Sequence, residues 1–190
     1  MVVSCRHHES SEAPAKQDDG PARIVPTSLV DQDGRVFGPA ELDHHVWITA
    51  IMFTSCPMGC PVMAARMGYL QTLLPKHASS IRLLSITIEP DTDTPAVLHA
   101  YGERFHRDPA LWTFVTGATT PIFGAVNAAY RKEGAKDGKW SFDHAETLAL
   151  VDGRGYIHGF YRKDDASVAR LFADADALAS LDPTHVSAAN

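Results

Sequence analysis

Residues 46 to 53, "VWITAIMF", form an almost unbroken apolar run rich in β-branched and aromatic side chains. Such a run suits a strand covered on both faces, and a strand of that kind needs layers packed above and below its sheet. The flanking segments supply them. Downstream, Met63, Met67, Leu70 and Leu74 recur at helical spacing until Pro75 stops the run. "IRLLSITI", residues 81 to 88, reads as a second buried strand, and residues 94 to 106 as a helix with Thr94 as its cap and Pro95 at its first position. "LWTFVTG" is a short strand, and "TTPIFGAVNAAYR", residues 119 to 131, a third helix. "TLALVD" and "GYIHGFY" read as strands joined by a turn at Gly153 to Gly155, with a last helix from about Asp164 to Leu178. Upstream, residues 27 to 37 place two short apolar segments around Asp33 and Gly34, which signals a hairpin. This order predicts one α/β domain over residues 24 to 180, with helices on both faces of the sheet and residues 181 to 190 as a tail.

Composition narrows the class of function. The chain has 17 basic and 23 acidic side chains, a net charge of −6, and no basic run along which a nucleic-acid backbone could lie. Nucleic acid is excluded as the expected partner. Three cysteines are too few for a disulfide scaffold, and no apolar stretch reaches the roughly 18 residues of a transmembrane helix. "VVSC", residues 2 to 5, has the form of a lipoprotein cleavage site, making Cys5 a candidate lipid anchor. Residues 6 to 22 are polar and lack periodicity, so residues 1 to 23 are expected to be a disordered tether joining the domain to a membrane.

Cys56 and Cys60 follow the apolar run at once, in "FTSCPMGCPVM". The carboxyl end of a strand meeting the amino end of a helix is where open α/β sheets usually bind ligands. Pro57 and Pro61 cannot share one regular helix without cost, so the helix is expected to begin at Pro61. Cys60 is then its N-cap, residues 56 to 59 form an exposed tight turn, and the helix terminus favours ionisation of both sulfurs. Thiolate attacks disulfides and binds metal alike, so a redox pair, a metal site and a structural disulfide all stay open. Among ten histidines, His144 stands out because it lies in an irregular segment just before a strand, after a glycine- and lysine-containing loop. The others read as tail, loop, helix or strand residues.

Three segments together resemble the Sco/SenC family of copper chaperones, which serve cytochrome oxidase assembly. "FTSCPMGCP" is similar to the family's C-P-x-x-C-P motif, "SITIEPDTDTPAVL" to its strand followed by D-P-x-x-D-T-P, and "FDHAETLALVDGRGYI" to its D-H-S segment and following strand. The segments come in the family's order, and the likeness covers about residues 24 to 178. It implies a thioredoxin-like fold with a central mixed sheet, flanking helices and an N-terminal β-hairpin. It also implies copper ligands at Cys56, Cys60 and His144. The implied role is delivery of one copper to the cytochrome c oxidase subunit that carries a copper centre, outside the cytoplasm, in the bacterial periplasm or at the outer face of the inner membrane. Another periplasmic copper chaperone is a further implied partner. The alternative is a thiol-disulfide oxidoreductase in which Cys56 and Cys60 keep a partner's cysteines reduced.

The ligand set is chemically coherent. Two thiolates and an imidazole make a soft site of low coordination that suits Cu(I), with Cu(II) as a second state, whereas structural zinc normally takes four protein ligands. Asp143 is the candidate for orienting the imidazole through a hydrogen bond. Met58 is read first as an exposed turn residue and second as a weak sulfur contact during transfer. Met63 and Met67 are read as core.

Overall fold

The computed structural model describes residues 22–132 and 147–181, with the side chains of residues 127–132 left aside. Cys5, Asp143 and His144, most of the tether and the tail from residue 182 lie outside the described residues. One seven-stranded sheet runs through the domain, built from β1 (Leu29–Asp31), β2 (Val36–Phe37), β3 (Val46–Met52), β4 (Ile81–Thr87), β5 (Trp112–Gly117), β6 (Thr147–Val151) and β7 (Ile157–Arg162). Their order across the sheet is β2-β1-β5-β4-β3-β6-β7. The three inner strands β3, β4 and β5 are parallel, while β1 joins β5 and β6 joins β3 antiparallel, so the sheet is mixed as expected. The hairpin expected around Asp33 and Gly34 is β1–β2.

Alternation along β3 explains the two layers. Val46, Ile48, Ala50 and Met52 enter one buried cluster with helix α2 (Gly59–Leu73), α3 (Pro95–Arg104) and α5 (Asp165–Leu181). Trp47 enters a second cluster on the other face with α4 (Thr120–Lys132), through Ile122 and Val126. Both faces of β3 are therefore covered, which is the physical reason for its unbroken apolar sequence. A short helix α1 (Pro39–Leu42) adds Leu42 to that second face, and its carbonyl accepts the Trp47 indole N–H at 2.9 Å.

Local signals fix the helix ends. The Thr94 hydroxyl accepts the Val97 N–H, and Pro95 occupies the first position of α3, as its sequence predicts. Pro75 falls in a single 3₁₀ turn, Leu74–Lys76, that finishes α2. The last helix runs from Asp165 to Leu181, longer than expected at its carboxyl end.

Two expectations need correction. Helix α2 begins at Gly59 with Met58 as N-cap, so Cys60 lies inside the first turn. The first backbone N–H groups of a helix have no intrahelical partner, so Pro61, third in the helix, forfeits no bond there. The second correction, to the ionisation of Cys60, follows from this placement.

Candidate metal centre

Cys60 shares the inward stripe of α2 with Met63, Ala64, Met67 and Leu70 and is only 1% exposed. Cys56 lies one turn earlier, partly exposed, with its sulfur accepting the Cys60 backbone N–H at 3.3 Å. Both thiols are free. The two sulfurs thus share one turn but occupy different surroundings.

Their ionisation diverges accordingly. Burial works against the thiolate of Cys56, but the backbone N–H groups of Cys60, Met58 and Gly59, with the Cys60 thiol, outweigh it and hold Cys56 below the ordinary cysteine range. For Cys60 burial dominates; the Cys56 sulfur and the Asp93 carboxylate add to it, and its thiol is pushed up to about 12. The expectation that both sulfurs ionise easily therefore holds for Cys56 alone. A helix terminus stabilises an anion, but desolvation of a thiolate sunk in the core is the larger effect.

The backbone carrying Cys56 is held from a distant segment. Asp93, fully buried, accepts hydrogen bonds from the Thr54 N–H, the Thr54 hydroxyl and the Thr87 hydroxyl. It ties the approach to the cysteines to the end of β4. The Ser55 hydroxyl donates to Glu89 at 2.7 Å, a second link between the same two loops. The segment "EPDTDTP" thus works as a brace for the cysteine turn. Tyr101 on α3 belongs to the same core cluster as Cys60, and its buried hydroxyl has no hydrogen-bond partner among the described residues. Burial first, then the Cys60 sulfur, push its phenol upward. The roles of Thr54, Thr87, Asp93 and Tyr101 are not predicted above; the signal available was the segment "EPDTDTP", which places Asp93 in the stretch similar to D-P-x-x-D-T-P.

Among the described residues, no three histidines, cysteines or carboxylates gather as a metal-binding group. Carboxylates engage several of the six described histidines. His77 bonds Asp176 at 2.7 Å and stacks on Phe172, His99 bonds Asp33 at 2.9 Å, and His158 bonds Asp152 at 3.0 Å. Met58 is 78% exposed at the mouth of the turn, whereas Met63 and Met67 are core, as expected.

Strand register bears on the segment before β6. β6 pairs antiparallel with β3, with Leu148 opposite Ala50, so Thr147 enters the sheet one step closer to the cysteine end.

Comparison with known proteins identifies the family and the fold. Residues 16–180 match the family model SCO1/SenC. The SCO2-like protein of Rickettsia felis is 32% identical over 139 residues, covering 70% of this chain and 66% of the relative, so the chain spans about two thirds of that protein's length. Yeast Sco1, solved with copper bound, is 25% identical and superposes with a TM-score of 0.64, covering 87% of this chain and 98% of that one. BsSco, described as a member of the Sco family of cytochrome c oxidase assembly proteins, superposes with a TM-score of 0.67 at 22% identity, covering 85% and 96%. The fold is the thioredoxin-like one of the Sco structures, as the three motifs implied.

Proposed function

The chain belongs to the SCO1/SenC family, and on that premise we propose that it is a copper chaperone that carries one Cu(I) on Cys56, Cys60 and His144 and passes it to a cytochrome c oxidase copper centre. The observation that carries this reading is the meeting of two features at one end of the sheet. Cys56 and Cys60 share the turn after β3, and β6, which starts three residues after His144, enters the sheet at that same end. Two thiolates and one imidazole make a soft three-coordinate site with room for an incoming ligand. Asp143 orients the imidazole of His144 in this reading. The domain, residues 24 to 180, is carried outside the cytoplasm on residues 1 to 23, with Cys5 as the lipid anchor; no helix among the described residues is long and apolar enough to cross a membrane. Lipidation at one cysteine with several chains would hold a membrane stably.

A second reading rests on the unequal thiols. A partly exposed Cys56 whose thiol is held below the ordinary cysteine range, beside a buried Cys60 whose thiol is pushed up to about 12, is the arrangement of an attacking and a resolving thiol, which suits reduction of a partner's disulfide. Anaerobic Cu(I) titration of the reduced protein separates the two. One copper per chain is expected, lost in the Cys56–Cys60 disulfide and when both cysteines are serine. His144→Ala should weaken copper binding and change its absorption spectrum while disulfide reduction persists. If His144→Ala binds copper like the wild type and still supports oxidase assembly, the three-ligand site is wrong and the reductase reading replaces it.

A further inference from the structure

Helix α2 has one charged side chain among its 15 residues, Arg66, and that guanidinium is engaged by Asp165 of α5 at 2.7 Å. The inward stripe from Cys60 to Leu70 is core. The outward face is apolar as well: Met58 at the N-cap is 78% exposed, Val62 50% and Tyr69 49%, with Ala65 exposed between them. Positions 58, 62, 65 and 69 follow the three- and four-residue spacing of a single helix face. A helix on a protein surface ordinarily turns a polar face outward, and a contiguous apolar face marks contact with another molecule. Three of the seven large apolar side chains exposed among the described residues lie on this one face, beginning beside Cys56.

We propose that the outward face of α2, from Met58 to Tyr69, is the docking surface for the folded copper-accepting domain of the receiving protein, which meets it with an uncharged, apolar face of its own. The inference rests on the proposed function for the identity of the partner. Direct transfer requires the acceptor's ligands to bond the metal while Cys56 and Cys60 still hold it. Cu(I) keeps its charge, its bonds to the two sulfurs break as bonds to the acceptor form, and the released thiolates take up protons from solvent. A folded acceptor that comes so close to Cys56 must cover Met58 and Val62, and the same apolar face continues along the helix beyond them. Arg66 borders this face, its guanidinium 5.0 Å from the centre of the Tyr69 ring, and its charge is paired with Asp165 at 2.7 Å, so it does not oppose such a partner. A second copy of this chain is the rival occupant, but it would cover the metal turn in the very state that has to release copper.

The test uses the copper-loaded protein, the apo soluble copper-binding domain of a cytochrome c oxidase subunit as acceptor, and bathocuproine disulfonate as a chelator too small to need a docking face. The double variant Val62→Glu, Tyr69→Glu should slow copper transfer to the acceptor by about tenfold or more, since charges are placed where apolar surface must be desolvated. Its copper loss to the chelator should stay within about twofold of wild type. Ala65→Glu, checked by thermal melting, serves if the double variant does not fold. Unchanged transfer to the acceptor, or equal slowing with acceptor and chelator, overturns the docking surface and leaves the copper reading standing. A wild-type dimer in sedimentation that the variant abolishes overturns it in favour of self-association. If wild type passes no copper to the acceptor, the chaperone reading has failed. Reduction of the acceptor's disulfide by Cys56 then decides the surface: tenfold slowing in the variant supports it, while equal rates or no reaction overturn it.

Discussion

Each end of the central sheet carries a turn organised by a carboxylate, yet the two are built in opposite ways. At the end away from the cysteines, Asp152 accepts the N–H groups of Arg154 and Tyr156 at 2.9 Å and bonds His158 at 3.0 Å, all within the β6–β7 hairpin. Gly155, at a φ of +88°, completes that turn, and its carbonyl accepts the Ile24 N–H at 2.7 Å. A side chain at Gly155 would collide with the Ile24 carbonyl. At the cysteine end, Asp93 holds Thr54 from 39 residues away in the sequence. Among the described residues, the first carboxylate bonds only within its own hairpin, while the second braces its turn from a separate loop. The brace fixes the backbone beneath Cys56 without using either sulfur, so both thiols are left free for the role proposed above.

The largest effect should come from removing the remote brace. Asp93→Ala leaves the Thr54 N–H and two threonine hydroxyls without their buried acceptor, at a cost of about 3 kcal/mol in urea unfolding. Asp152→Ala should cost about 2 kcal/mol, because its donors stand nearer to water and can be rehydrated. Only the first should alter the reactivity of Cys56 in the folded state. Equal costs, or an altered Cys56 in Asp152→Ala, would erase the distinction between a carboxylate that serves its own hairpin and one that braces a distant turn.

The same contrast explains what was legible in the sequence. The Thr94–Pro95 start of α3, the hairpin at Asp33 and Gly34 and the Asp152 turn rest on interactions between near neighbours, and β3, buried on both faces, carries its environment as an unbroken apolar run; each leaves a periodic or compositional mark. The bond from Asp93 to Thr54 leaves none, because either residue alone reads as a loop polar group. Cys60 is the intermediate case. It stands three and four residues before Met63 and Ala64, so the apolar stripe could have been extended back to it. The assumption that Pro61 must open the helix concealed that step. The positions of Cys56 and Cys60 were therefore legible, while the inequality of their thiols was not, since desolvation depends on the assembled core.

That inequality gives a third, smaller effect. In the reduced protein, iodoacetamide should modify Cys56 at least about tenfold faster than Cys60 between pH 6 and 9, as mapped by mass spectrometry. The lowered Cys56 supplies thiolate within this range, whereas Cys60, pushed up to about 12 and buried, does not. Equal rates would mean that the two sulfurs share one environment, and the case for an attacking and a resolving thiol would go with them.

The smallest effect belongs to the far end, where Asp176 on α5 accepts the Ala78 N–H at 2.9 Å and bonds His77 at 2.7 Å, closing the chain between α2 and β4. Burial works against its ionised form, but the hydrogen bonds from His77 and Ala78 outweigh it and hold the carboxyl below its usual value of 3.8. A carboxyl depressed in the folded state contributes stability above its unfolded value, and that contribution disappears as the pH falls through the lower folded value. The side chain is 41% exposed, so solvent screening keeps the contribution below about 1 kcal/mol. Asp176→Asn should therefore lose a fraction of a kcal/mol at pH 7 and converge on wild type in acid, below the usual carboxylate range, when unfolding by urea is followed across pH. Copper affinity should not change in this variant, because the pair lies before β4 begins and the cysteine turn follows the end of β3. A change in copper affinity would show that the far end of the sheet is coupled to the metal turn, and that bracing by Asp93 is not enough to isolate it.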